Sequence, residues 1–467
     1  MLTYFPKYFS TRAIMAYVIT LAMVTGMFFS HAMPFQFVLF GIAAVSVFFG
    51  FSNRLTTNWV HYSERLFIKK LFNAAFLIRL FYVICIYFYF ISATGQPHAY
   101  HAGDEMLYQG MARLWVEYGF EEFQKNMREY IDISDSGYCW WLAILYLPFG
   151  PYVLVGRIEK CFVDAFSCVL LYNLGKRNFG EASGRIAAIF YMLMPNAWFY
   201  CGVTLKEIEM AFLIVLFVER GDLALRSPKM KIQDLILPLI IIAVMLTFRT
   251  AIAAVLAAAM VGAIIFTSKK QLQLWKKILF ATLFASWMVA TVGVELIEET
   301  KIMIESRTDN QTLGYQYRSE QVGGNTMAKY ATASVFAPLI FTIPFSSMVE
   351  TPGQENQMMM NGANFTKNII SGLTILALFL LLKRGDWRKH VLPIATMCGY
   401  LVVLVFSNFA HSERFHFPVL ALELMFAAYA VTQLSNKHKR WYVIWLVVIC
   451  VANVAWAWVK LRGRGMA

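Results

Sequence analysis

Asp104 and Glu105 stand side by side in H-A-Y-H-A-G-D-E-M-L-Y-Q-G-M-A-R-L-W, the first long polar segment after a block of apolar runs. Gly103-Asp104 reads as a helix start, because an Asp side chain can accept from the free N–H groups of a first turn. Asp104, Tyr108, Met111 and Trp115 follow at i, i+4, i+7 and i+11 and share one helix face. One carboxylate followed by aromatic and apolar anchors fits a helix on a membrane surface with its acidic end over a cavity. It fits equally an acidic N-cap on an ordinary interfacial helix.

Other ionisable residues sit where apolar runs begin or end. Lys206 and Glu207 lie in T-L-K-E-I-E, Arg249 follows Phe248, and His411, Glu413, Arg414 and His416 crowd A-H-S-E-R-F-H-F-P. Arg307 and Arg318 fall in a long polar stretch. Such residues near membrane depth are costly and are functional candidates by default. Each also has a plain structural explanation: a local pair, a snorkelling side chain or a bond to a span's last carbonyls. Their gathering on one side favours chemistry, and the chemistry that fits is group transfer from a lipid-linked phosphate. Arg offers a planar fork of donors to phosphate and Lys a point charge. A carboxylate would deprotonate an incoming hydroxyl for attack at a sugar's anomeric carbon. No Gly-rich phosphate-cradling loop is present, and the two histidines lack the carboxylate-rich partners of a metal site.

The elements that must position these residues are membrane spans. The chain has 467 residues, 59% hydrophobic and only 15% charged, against about 25% charged in a soluble protein. Apolar runs of about 17–20 residues are long enough to cross a bilayer as helices. Spans are expected at 13–30, 34–52, 71–93, 152–175, 184–201, 203–220, 233–248, 251–267, 277–296, 366–383, 390–409, 416–434 and 441–459. The net charge of +13 comes largely from short basic loops between spans. That is the positive-inside pattern and calls for no nucleic acid. The basic loops fall on one side throughout, except that the last span places Lys460, Arg462 and Arg464 outside. Either that span is re-entrant or the count changes near the end. Two outer loops result, 94–138 and 297–365. The apolar pieces 139–150 and 331–349, each interrupted by proline, read as re-entrant or interfacial. The seven cysteines show no metal-ligand spacing.

The motif D-E-x-x-Y-x-x-x-A-R over 104–113 resembles the first outer-loop motif of GT-C membrane glycosyltransferases, with lipid A aminoarabinose transferases and protein O-mannosyltransferases as the nearest kin. The stretch G-K-R-N-F-G-E-A-S-G-R-I-A-A-I-F-Y-M-L-M-P-N is similar to that family's cytoplasmic turn and following span, ending at Pro195. E-R-F-H-F-P-V-L-A-L-E-L resembles its late R-x-x-x-P signature, and F-R-T at 248–250 its mid-chain arginine. The resemblance implies that Asp104 is the catalytic base, with Glu105 and Glu207 in support. It places Arg249 and Arg414 on the donor side; by charge and position, Lys206, His411 and His416 join them there, and Tyr108, Arg307 and Arg318 fall on the acceptor side. Lys206 departs from the acidic pattern of the metal-binding members, so a divalent cation stays open.

The expectation is therefore an all-α polytopic membrane protein of about 13 transmembrane helices, GT-C-like, with interfacial helices in both outer loops. An N-terminal hairpin (1–52) precedes a catalytic core (53–434), and a C-terminal helix (435–467) follows. The expected activity is transfer of a sugar from a polyprenyl-phosphate-linked donor to a glycan, lipid or protein acceptor, at the periplasmic face of a bacterial inner membrane. A polysaccharide polymerase or ligase of the O-antigen type, resting on His411 and Arg414, is the alternative. A transporter would need charges at mid-membrane and two related halves.

Overall fold

The computed structural model describes residues 2–227, 233–266, 316, 319–320, 324–330, 333–407 and 409–466. The described residues are helical apart from turns and one antiparallel bridge between Ala32 and Val349. The helices are α1 (Lys7–Met27), α2 (Phe35–Asn58), α3 (Glu64–Thr94), α4 (Gly103–Tyr118), α5 (Phe120–Tyr130), α6 (Ile133–Phe149), α7 (Val153–Phe179) and α8 (Glu181–Leu193). There follow α9 (Pro195–Cys201), α10 (Glu207–Arg226), α11 (Gln233–Phe248), α12 (Thr250–Phe266), α13 (Asn361–Arg384), α14 (Val391–Val405), α15 (Glu413–Thr432) and α16 (Asn436–Arg462).

Among the described residues, seven helices are long and apolar enough to cross a membrane: α1, α2, α3, α13, α14 with the turn before it, α15 and α16. The pair α6 and α7 joins them if counted as one span bent by 110°. The bend falls at P-F-G-P, where Gly150 has φ +84°, so 139–150 does not continue straight through. The run 184–201 is divided at Pro195 into α8 and α9, since proline removes a helical donor and collides with the preceding turn. Span 277–296 lies outside the described residues.

α15 lies at the centre and is buried over almost its whole length, packed against α8, α10 and α13. With little hydrophobic drive between helices in lipid, close approach depends on small residues. A Cβ on Gly184 of α8 would stand 2.6 Å from the backbone nitrogen of Lys176 in α7, and one on Gly362 of α13 only 2.4 Å from Gly41 O in α2. Inside the bundle, Arg79 pairs with Asp164 and donates to Met192 O at 3.2 Å, tying α3 to α7 and α8.

The polar groups collect at two ends. At one, Arg177 meets Asp222 (2.6 Å) and Glu219 (3.1 Å), Arg185 donates to Trp59 O (2.7 Å), and Arg226 donates to Lys389 O (3.0 Å). These belong to the short basic loops. The candidate residues lie at the other end. So does the C-terminus of α16, an unbroken helix of 27 residues, which corrects the re-entrant reading. Lys460 is buried there, with Nζ donating to Ser347 Oγ (2.8 Å), Gln354 Oε1 (2.7 Å) and Gln357 Oε1 (2.7 Å).

Residues 340–349 form no span; they run irregularly among the helices. Non-helical backbone survives within such a bundle only if protein groups satisfy it. Asn368 Nδ2 donates to Pro344 O (2.8 Å), Asn453 Oδ1 accepts from Ser346 N (2.7 Å), and Lys367 Nζ donates to Ile343 O.

Candidate active site

α4 begins at Gly103 and no side chain caps it. Asp104 is therefore not consumed by capping, and its side chain is 55% exposed. The buried face of α4 is Glu105, Tyr108, Gln109 and Ala112. That face is rotated by one residue from the expected stripe, and it leaves Asp104 on the rim of a cavity of about 330 Å³. The cavity is bounded by the 99–105 segment, by α9 and the link after it, by Gln354, Asn356 and Gln357, and by Ser412–Arg414 at the start of α15.

Arg414 organises this rim. Its Nη1 donates to Asp104 Oδ2 and its Nε to Glu207 Oε1. One guanidinium thus bridges carboxylates from α4 and α10. Glu207 is fully buried, and its Oε2 has no hydrogen-bond partner among the described residues. The hydroxyl of Tyr200, which lines the cavity, is also buried with no hydrogen-bond partner among the described residues. Buried polar groups left unsatisfied are uncommon and call for an explanation; beside a cavity, a bound ligand supplies one. Three of the five N–H groups of Arg414 make no hydrogen bond among the described residues.

The neighbours hold this arrangement in place. Glu105 is buried and accepts from Thr204 N (2.7 Å), Ala99 N (3.2 Å) and Arg157 Nη2 (3.2 Å), with His98 Nδ1 at 3.7 Å. Burial pushes its carboxyl up. The His98 ring, the Arg157 guanidinium and the Thr204 N–H together outweigh that and leave it below its ordinary value. Glu105 therefore clamps the start of α4 onto α7 and the link before α10. Lys206 is buried and points away from the cavity, pairing with Asp135 and donating to Ser134 O (2.7 Å). Tyr108 donates to the same Asp135 carboxylate (2.9 Å). Arg249 lies 4.2 Å over the Phe415 ring, next to Arg414. His416 is buried behind the rim: Nε2–H donates to Ala410 O (2.7 Å), so Nδ1 accepts from Lys367 Nζ (3.3 Å). His411 stacks on Phe336 with ring centroids 6.4 Å apart. Arg307 and Arg318 lie outside the described residues.

No group of three His, Cys, Asp or Glu side chains able to hold a metal is present among the described residues. Between Asp104 and Glu207, the guanidinium of Arg414 occupies the position a bridging cation would take.

Sequence reading passed over Arg157, Asp135, and Gln354 and Gln357 as partners of Lys460. Arg157 carried a signal, a cation inside an apolar run. Gln354 and Gln357 carried none, because amides in a polar loop are unremarkable until something buried binds them.

The family model of Alg9-like mannosyltransferases matches residues 358–461, from just before α13 almost to the end of α16. The matched segment contains Arg414, His416 and Lys460 but not Asp104 or Glu207. No curated protein and no solved structure matches the chain. Together, the family match and the apolar helices support a membrane glycosyltransferase of the GT-C type.

Proposed function

We propose that this chain transfers a sugar, with inversion, from a polyprenyl-phosphate-linked donor to a glycan, lipid or protein acceptor, at the periplasmic face of a bacterial inner membrane. The observation that carries the reading is the Asp104–Arg414–Glu207 bridge, whose Asp104 and Arg414 line a cavity at the ends of the apolar helices while Glu207 is buried behind them. Asp104 accepts the proton of the acceptor hydroxyl. The hydroxyl oxygen forms a bond to the anomeric carbon as the bond from that carbon to the phosphate oxygen breaks. The electron pair leaves with the phosphate, and the free N–H groups of Arg414 stabilise it; Arg249 does not line the cavity and stands behind Arg414 on the Phe415 ring. Glu207 holds Arg414 in place, while Glu105 and Lys206 hold α4, α6 and α10 together. No nucleotide takes part.

The name of the matched family makes mannose the sugar to test first. With a glycan acceptor such as mannotriose present, the purified full chain should transfer mannose to it and release polyprenyl phosphate from polyprenyl-phosphate-mannose, and Asp104→Asn should suppress both. Turnover unaffected by that change would remove the mechanism. The rival reading, a polymerase or ligase resting on His411 and Arg414, has less support, because His411 does not line the cavity.

A further inference from the structure

Lys460 stands in the last turn of α16 and is only 5% exposed. Its three donors go to neutral oxygens, those of Ser347, Gln354 and Gln357. Among the described residues no carboxylate lies within ion-pair distance of it; Glu413 acts on it from farther off. A buried charge without an ion pair is costly, and a cation kept at membrane depth is a functional candidate.

What this cation does follows from the chemistry of an amide. An ammonium only donates, so it fixes which way each glutamine lies: Oε1 turns to Lys460, and Nε2 is the arm left over. Thr351 Oγ1 also donates to Gln354 Oε1 (3.1 Å) and holds it the same way. Among the described residues neither Nε2 has a hydrogen-bond partner, and neither is sealed in by protein. Both glutamines line the cavity that Asp104 and Arg414 border. They offer it four N–H donors with a positive charge behind them.

A sugar hydroxyl can donate or accept, so either arm of an amide would serve it. Locking both amides by their oxygens suits a group that can only accept, as a phosphate oxygen does. The cavity needs such support. The charge of Arg414 is shared between Asp104 and Glu207, and Glu413 also lines the cavity. A phosphate leaving as an anion would have three carboxylates and one guanidinium close by, unless a second positive charge faced it.

We propose that Gln354 and Gln357 hold the donor's phosphate through Nε2, and that Lys460 is the positioning residue that orients both amides and supplies the positive field behind them. The proposal rests on the transferase reading above and adds three residues to it.

Titration calorimetry on the full chain in detergent, with farnesyl phosphate and with farnesol, tests it. The probes differ only in the phosphate, so the ratio of their affinities reports on that group alone. Wild type should favour farnesyl phosphate. Gln357→Leu removes one pair of donors and adds no charge; it should lower the ratio by about tenfold, the worth of a lost hydrogen bond to a charged group. Lys460→Met should lower it at least as far. A merely structural role for Lys460 would weaken both probes alike and leave the ratio unchanged, and that result overturns the proposal. So does equal affinity for the two probes in wild type. The melting temperature identifies a variant that fails to fold. In that event Gln357→Glu, which offers Lys460 a carboxylate, decides by the same ratio. If the ratio is unchanged in the variants while Asp104→Asn abolishes transfer, this proposal fails and the transferase reading stands. If the ratio falls but Asp104→Asn turns over normally, the phosphate site stands and the mechanism at Asp104 fails.

Discussion

Arg414 Nη1 donates to Asp104 Oδ2 across 310 residues of chain. The same guanidinium holds Glu207, so the starts of α4, α10 and α15 meet on one cation. Two of these helix beginnings, those of α4 and α15, line one cavity, and the third, that of α10, is buried behind Arg414.

Arg414 serves both carboxylates and, in the proposed mechanism, the leaving phosphate. Arg414→Lys should therefore fail to rescue, because an ammonium is a point charge without the fork that reaches two partners. Either Arg414→Lys or Arg414→Ala should lower turnover by about 10²- to 10³-fold, as loss of one fixed donor at a developing charge does. Release of polyprenyl phosphate with saturating donor and acceptor measures this.

Glu105 and Arg157 are a buried pair, 2% and 0% exposed. Breaking such a pair from one side costs about 3–5 kcal/mol. Glu105→Gln should thus lower the melting temperature, while Asp104→Asn, on the exposed rim, should leave it nearly unchanged. Thermal unfolding of both variants in the same detergent makes the comparison.

Acid should act through the same carboxylate. The folded value for Glu105 is held down by its partners, so its contribution is complete above the unfolded value of about 4.3. The contribution is lost as pH falls from there through the lower folded value. Wild type should therefore lose more stability than Glu105→Gln between about pH 5 and the low-pH limit of the fold. Equal acid sensitivity in the two proteins would speak against the clamp.

Gly362→Ala tests the packing beneath the site. The added methyl would sit 2.4 Å from Gly41 O, a backbone atom that no rotamer change can move. A loss of about 1–3 kcal/mol is expected, read as a fall in melting temperature. Gly26→Ala, with open space around its Cβ, is the control and should not fall.

Much of this was legible in the chain. α4 does start at Gly103-Asp104, though Asp104 does not cap it as expected, and P-F-G-P marked the bend before α7, because glycine and proline act through the local backbone. Arg414 and Glu207 stood out as charges at the ends of apolar runs. The phase of α4 was off by one residue: Tyr108 is buried as expected, but Glu105 rather than Asp104 lies on its face. A change of one residue turns a helix by about 100°, and only the partners Arg157 and Thr204 select which acid turns inward. The end of α16 was misread for a related reason. Counting basic residues treats every charge as exposed, whereas Lys460 is buried against Gln354 and Gln357, and nothing in the local sequence announces those amides as its partners.

The central claim is that Asp104 takes the acceptor's proton. Mass spectrometry of lipid-linked and surface glycans, from cells carrying the wild-type chain, no chain or Asp104→Asn, tests it most directly. The account predicts that Asp104→Asn, present at wild-type level in the membrane, gives the glycan profile of cells without the protein, a loss of about 10²- to 10⁴-fold for a missing general base. A wild-type profile from Asp104→Asn would contradict it.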